Sequence, residues 1–261
     1  VNDNFKYNFG LNLSTLHNEV VDLYNQEYID AGSAEFRQRY MVGEPLAAFY
    51  GYEVAGVYQN LDEINADPVA TTNNLEPGDF KYIDQNNDGL INDDDRTVLG
   101  SYLPSFTFGA NLGMDYKNWD FSMSLYGQTG NKILNRKRGE VIWTNDQNMD
   151  ADLAINRWHG EGTSDSYPSS KGLRKGWNQK MSTFFVEDGS FFRIQNIQLG
   201  YNLTDLRVFK TSTDARLYLT AERPFSFFKY NGFNPEVMGQ GVDSQQYPVP
   251  AVYTIGLNFK I

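Results

Sequence analysis

The segment VPAVYTIGLNFKI, residues 249–261, decides how this chain is read. Tyr253, Ile255, Leu257, Phe259 and Ile261 alternate with Thr254, Gly256, Asn258 and Lys260. Successive side chains of a strand point to opposite faces, so one face here is apolar and the other polar. The same alternation predicts strands over residues 5–14, 106–116, 120–128, 191–203 and 215–222. In the fourth of these six the phase slips. Phe192 and Ile194 share one parity, and Ile197, Leu199, Tyr201 and Leu203 share the other. A β-bulge at Gln195-Asn196, or emergence from a membrane there, accounts for the slip. Lys117-Asn118 reads as a tight turn, and about ten residues separate the fourth and fifth strands. The other connections are long: 15–105, 130–190 and 223–248.

Repeated amphipathic strands with short turns on one rim and long loops on the other predict an all-β, transmembrane antiparallel β-barrel. A soluble β-sandwich or jelly roll shares the periodicity and stays open as an alternative. Connections of 60–90 residues weigh against it. The smallest membrane barrels have about eight strands, so six must belong to a larger barrel or pair with other chains. With a start at Val1 and no Met or signal peptide, the sequence reads as a mature or partial chain.

Composition agrees with a barrel. Mean hydropathy is −0.54, yet Tyr numbers 17 and Phe 18. Aromatic girdles and a polar lumen together give that combination. No apolar run approaches the roughly 18 residues of a membrane-spanning helix, which a barrel does not need. The net charge of −11 offers no basic stripe for phosphates and excludes nucleic acid as the expected partner. Without cysteine there is neither a disulfide framework nor thiolate chemistry. No motif for nucleophilic, phosphoryl or hydride chemistry occurs. Gly127-Gln128-Thr129-Gly130 lacks the lysine of a phosphate loop. An enzyme is not expected.

Residues 84–95, DQNNDGLINDDD, have the spacing of an EF-hand-like calcium loop. Hard oxygen ligands are wanted at alternate positions around a sharp turn. Asp84, Asn86 and Asp88 offer side-chain oxygens, Leu90 its carbonyl, and Asp95 stands at position twelve. Gly89 permits the turn, and Ile91 is placed to point inward as an anchor. Asp in place of Glu at the last position makes the loop dockerin-like. A structural Ca²⁺ ion is the expectation, and a metal-free Asx-rich turn is the alternative. His17 and His159 lack partners at zinc-ligand spacing. Arg136-Lys137-Arg138 reads as a solvated loop cluster that could also meet anionic lipid. Trp143, Trp158, Tyr167, Trp177 and Phe228 fall in predicted external loops. There they would stack on substrate, pack on a partner or fill the loops' own cores. Ser122, Ser124, Tyr126, Gln128, Arg216 and Tyr218 are expected to face the lumen.

Five segments in order carry a family resemblance. They are VGEPLAAFYGYEVAGVYQ (42–59), GDFKYIDQNNDGLINDDDRTVLG (78–100), PSFTFGANLGMDYKNWDFSMSLYGQTGN (104–131), SFFRIQNIQLGYNL (190–203) and FKYNGFNPEV (228–237). The chain resembles the C-terminal quarter of a SusC/RagA-type TonB-dependent transporter of the Bacteroidota. It departs from that pattern at Ala221-Glu222-Arg223-Pro224 and in ending on Ile261 rather than an aromatic residue.

The resemblance implies a plugged outer-membrane barrel of about 22 strands. This chain would be its last six strands, with 15–105 a long extracellular loop. It also implies import of a glycan or peptide, driven through TonB and capped by a SusD-like surface lipoprotein. The plug and the TonB-contacting segment would be N-terminal and are not in this sequence, and dimerisation of the complex stays open. Two other readings differ in class. One is a cell-surface β-domain whose dockerin-like calcium loop binds a protein partner. The other is an accessory domain of a secreted glycan hydrolase. Both would need a second layer to cover the apolar faces.

Overall fold

A computed structural model describes residues 5–32, 36–136, 138, 151–171, 176–208, 211–244 and 246–260. Strand β1 (Phe5–Thr15) leads into a first excursion holding β2 (Tyr28–Gly32), β3 (Arg37–Met41), β4 (Ala48–Gly51) and β5 (Val54–Val57). The helices α1 (Leu61–Ala66) and α2 (Pro68–Thr72), β6 (Phe80–Tyr82) and β7 (Thr97–Gly100) complete it. Next come β8 (Phe106–Tyr116) and β9 (Trp119–Thr129), then a second excursion with β10 (Lys132–Asn135), α3 (Ala151–Asn156) and β11 (Val186–Asp188). Strands β12 (Phe191–Val208) and β13 (Thr211–Phe228) follow, then a third excursion with β14 (Val242–Asp243), and finally β15 (Val252–Lys260).

All six predicted strands form one antiparallel sheet in the order β1-β8-β9-β12-β13-β15. Its register brings the apolar positions into continuous rows. One row runs Tyr7, Met114, Phe121, Leu199, Leu219, Ile255, and the next runs Phe9, Leu112, Met123, Ile197, Ala221, Tyr253. The alternate rows are polar, as in Asn8, Gly113, Ser122, Gln198, Thr220, Thr254. The β12 slip is a register shift between Ile194 and Asn196, which returns Ile197 to the apolar face. On β13 the opposite interruption is Arg223-Pro224, where Arg223 takes a left-handed φ of 51°.

Aromatic rings band the apolar face at both ends. Near the excursions Phe108 stacks on Phe192 at 6.1 Å and Phe192 on Phe227 at 6.0 Å. Gly127 lies beneath this row, and a Cβ there would stand 2.3 Å from the Phe108 ring. Near the turns Phe5 meets Tyr116 at 6.5 Å and Trp119 meets Tyr201 at 4.7 Å. From Phe108 to Tyr116 is eight residue steps, about 26 Å along the strand, or about 20 Å once a barrel tilt of about 40° is allowed for. That matches the apolar band of a membrane barrel.

The sheet is longer and its turns tighter than the sequence predicted. Strands β12 and β13 continue to Val208 and from Thr211, so two residues join them instead of about ten. Phe228, expected in an external loop, is instead the last residue of β13. All three excursions leave from one rim, and both tight turns lie at the other. Lys117 adopts the left-handed φ of 54° that the two-residue turn demands.

The excursions hold nine further strands among the described residues, which the sequence reading did not foresee. They do not cover the apolar face. Tyr7 remains 61% exposed, Leu219 50% and Ile255 76%. Six strands at about 4.8 Å by about 26 Å make an uncovered face on the order of 750 Å², more than a soluble monomer ordinarily presents. Among the described residues no helix is long and apolar enough to cross a membrane, which says nothing about crossing by strands.

Adjacent residues of β13 should therefore respond oppositely to charge. Leu219→Arg is expected to cost about 2–4 kcal/mol in a bilayer and Thr220→Arg close to nothing. Denaturant titration of the refolded full-length protein in liposomes measures both.

Candidate functional site

The polar face of the sheet is the first candidate surface. Ser122, Ser124, Tyr126, Gln128, Arg216 and Tyr218 all lie in its rows, as the alternation required. Arg216 forms an ion pair with Asp120 across β12 and donates Nε to Asp120 Oδ2 at 3.0 Å. Asn202 donates to the same oxygen at 3.2 Å. Toward the excursions, Arg193 is buried on this face. It donates Nε to Ser226 Oγ at 2.9 Å, pairs with Glu236 and reaches Asn234 Oδ1 at 3.3 Å. Sequence reasoning passed over Arg193 because its partners lie in the third excursion, which carries no periodic signal.

That excursion ties the others together. Leu134 and Asn135 of β10 pair in parallel with Val242 and Asp243 of β14. Gln38 of β3 donates Nε2 to the Gln240 carbonyl at 2.9 Å, and Gln240 Nε2 donates to the Tyr40 hydroxyl at 3.1 Å. Between the three excursions lies a cavity of about 700 Å³. Its lining includes Arg138, Asp152, Asp165, Tyr167, Glu187 and Lys229. Arg138 is no solvated loop charge. It is buried, pairs with Asp152 at 2.6 Å and Glu187 at 3.6 Å, and lies over the Phe184 ring at 4.9 Å. Lys137 lies outside the described residues.

The loop aromatics chiefly build cores. Trp177 packs with Tyr52, Tyr58, Phe80 and Tyr82, and its Nε1 donates to the Phe80 carbonyl at 2.8 Å. Trp158 packs against the same cluster and donates Nε1 to Gln59 Oε1 at 3.2 Å. The Tyr167 hydroxyl donates to Asp152 Oδ2 at 2.8 Å, and its ring packs edge-on against Phe184. Phe228 lies half-buried at the rim of the polar face, in register with Phe191. Trp143 lies outside the described residues.

The acidic loop is closed by its own hydrogen bonds. Asp84 accepts from the Gly89 N–H at 2.8 Å, Asn86 from Asp88 at 3.0 Å and Asp88 from Leu90 at 2.8 Å. Asp95 is fully buried and accepts from the Gln85 and Asn92 N–H groups at 2.9 and 2.8 Å. Ile91 packs inward on the aromatic core, as expected of the anchor. Among the described residues no three His, Cys, Asp or Glu side chains gather as a metal site. As it stands, the arrangement fits a self-closed clasp.

The comparisons with known proteins follow this geometry. No family model matches the chain. It is similar to TonB-dependent receptor P26 of Formosa agariphila, at 31% identity over 98% of this chain and 27% of that protein. TonB-dependent receptor P3 of the same organism is 30% identical over 99% of this chain and 27% of its own length. TonB-dependent receptor SusC of Bacteroides thetaiotaomicron is 28% identical over 100% and 25%. Among solved structures the fold matches the RagAB peptide transporter with a TM-score of 0.75 at 22% identity, covering 98% of this chain and 27% of that one. The sheet is thus part of the wall of an outer-membrane-type β-barrel. The chain carries the sequence and fold of the SusC/RagA-type TonB-dependent receptors, and it spans about a quarter of the length of the relatives it matches.

Three core phenols give the first excursion a pH signature. Burial raises the pKa of Tyr52, Tyr58 and Tyr82, and for Tyr58 the Asp67 carboxylate that accepts its proton at 2.6 Å raises it further. A raised folded pKa means stability fully present below the unfolded value, near 10, and lost as pH climbs above it. Lys180, whose pKa burial lowers, opposes this with a single group that gains as pH rises toward about 10.5. Tryptophan fluorescence between pH 9 and 12 should show the excursions loosening above about 10. Tyr58→Phe should lose less of its stability across that range.

Proposed function

We propose that this chain forms part of the barrel of a TonB-dependent importer in the outer membrane of a Bacteroidota-type bacterium. The carrying observation is the in-register sheet, apolar and uncovered on one face and polar on the other. Lipid would meet the first face and the substrate path the second. Similarity to TonB-dependent receptors along nearly the whole chain supports the energy source. A SusC-named relative and a peptide-transporter fold match support a polymeric nutrient, glycan or peptide, with a SusD-like lipoprotein as lid. The excursions would then stand outside the cell, and TonB would act through parts of the protein beyond this chain. The groups on the polar face pair with one another and serve passage rather than catalysis.

The reading as a soluble surface domain is disfavoured because nothing among the described residues covers Tyr7, Leu219 or Ile255. Cells lacking the protein are expected to lose growth on one glycan or peptide mixture while growing normally on its monomers. Dissipating the proton-motive force should abolish uptake in the parent strain. Unchanged uptake in both experiments would overturn the importer reading.

Calcium at residues 84–95 is a separate proposal, supported by the spacing of Asp84, Asn86, Asp88, Leu90 and Asp95. The clasp already closes through hydrogen bonds, so an ion would stiffen it rather than create it. Thermal unfolding in millimolar calcium and in EGTA tests this. An ion site raises the midpoint in wild type and not in Asp84→Ala, whereas equal midpoints in wild type overturn it.

A further inference from the structure

One flank of the molecule is unfinished in three ways. Strand β1 pairs with β8 on one edge only, and the other edge leaves a row of N–H and C=O groups without a strand. The excursion sheet, ordered β2-β3-β4-β7, likewise leaves β2 unpaired on its outer edge. Because β7 leads into β8 and β2 follows β1, both free edges belong to the same flank. The linker between them displays apolar side chains to the surroundings, with Val21 80% and Tyr24 88% exposed. Tyr24 and Asn25 form its tip with left-handed φ of 51° and 65°. A bulky residue held there is strained, so the tip presents its ring at a conformational cost.

Open ladders and exposed apolar side chains on one flank require a cover. Lipid could shield apolar side chains but cannot satisfy the N–H and C=O groups of a strand edge. We propose that the cover is a further portion of the same polypeptide. A strand completes the β1 ladder, and the excursion that this strand carries packs over Val21, Tyr24 and the β2 edge. The chain spans about a quarter of its relatives' length, so sequence for such a neighbour exists in proteins of this type. This seam would join the excursions of adjacent strand pairs into one continuous outer layer, independently of what the barrel transports.

The test uses the full-length protein in its native outer membrane, with photoreactive p-benzoylphenylalanine replacing Tyr24 and, separately, Val21. Heat-modifiable mobility on a denaturing gel first establishes that each variant is folded. The same probe at Ile255, on the lipid-facing rows, serves as the reference. Illumination is expected to give an intramolecular cross-link from positions 21 and 24, mapped by peptide mass spectrometry to residues outside this chain's 261. A cross-link to a separate polypeptide, an adduct with lipid as at Ile255, or no cross-link in a folded variant would overturn the proposal.

Discussion

Hydrocarbon offers no hydrogen-bond partner to a peptide group, and the rest of the structure follows from that constraint. Every N–H and C=O within the bilayer must be answered by protein, and a sheet that answers them laterally must continue until it closes. The register of the six strands does this internally, from Phe5 opposite Tyr116 through to Ala215 opposite Phe259. The same register aligns the period-two pattern of each strand with that of its neighbours. The apolar face is therefore a property of the whole sheet, and a slip of one residue would put polar side chains into lipid. The paired interruptions at Gln195 and at Arg223-Pro224 show how the sheet absorbs a phase change without losing that alignment.

The excursions obey different physics, because water and a small core replace lipid. They gather aromatic rings from distant parts of the chain: Tyr52, Tyr58, Phe80 and Tyr82 from the first, Trp177 and Phe184 from the second. Buried polar pairs then fix their geometry. Asn178 accepts from the Phe80 N–H at 2.7 Å and donates to Asp79 at 3.0 Å, joining two excursions through one side chain. Arg193 fastens the third excursion to the wall, and Gln240 fastens it to the first. A load on the outer layer would thus reach the polar face through a few named contacts.

What could be read in the sequence follows from the range of the forces. Alternation within a strand is local, so the six wall strands, the bulge near Gln195 and the inward-turned Ile91 were all legible. The far ends of β12 and β13 were not, because beyond the membrane the alternation lapses while the ladder continues. The excursion sheets were missed for a related reason. Their strands are three to five residues long and pair across long separations, too short for periodicity to register. Trp177 and Arg138 read as surface groups because their partners, Phe80 and Asp152, are fixed only by tertiary structure. The acidic loop illustrates the converse. Its spacing suggested a ligand set, while the structure spends the same oxygens on the loop's own backbone.

The measurement that bears most directly on the wall is site-directed spin labelling along β13 of the full-length protein in outer-membrane lipid. The absence of cysteine from this chain makes single-site labelling clean. Labels at positions 217 and 219 should relax preferentially with oxygen, and labels at 218 and 220 with a water-soluble nickel complex, in strict antiphase. Equal access of the water-soluble reagent at all four positions would contradict a lipid-facing sheet.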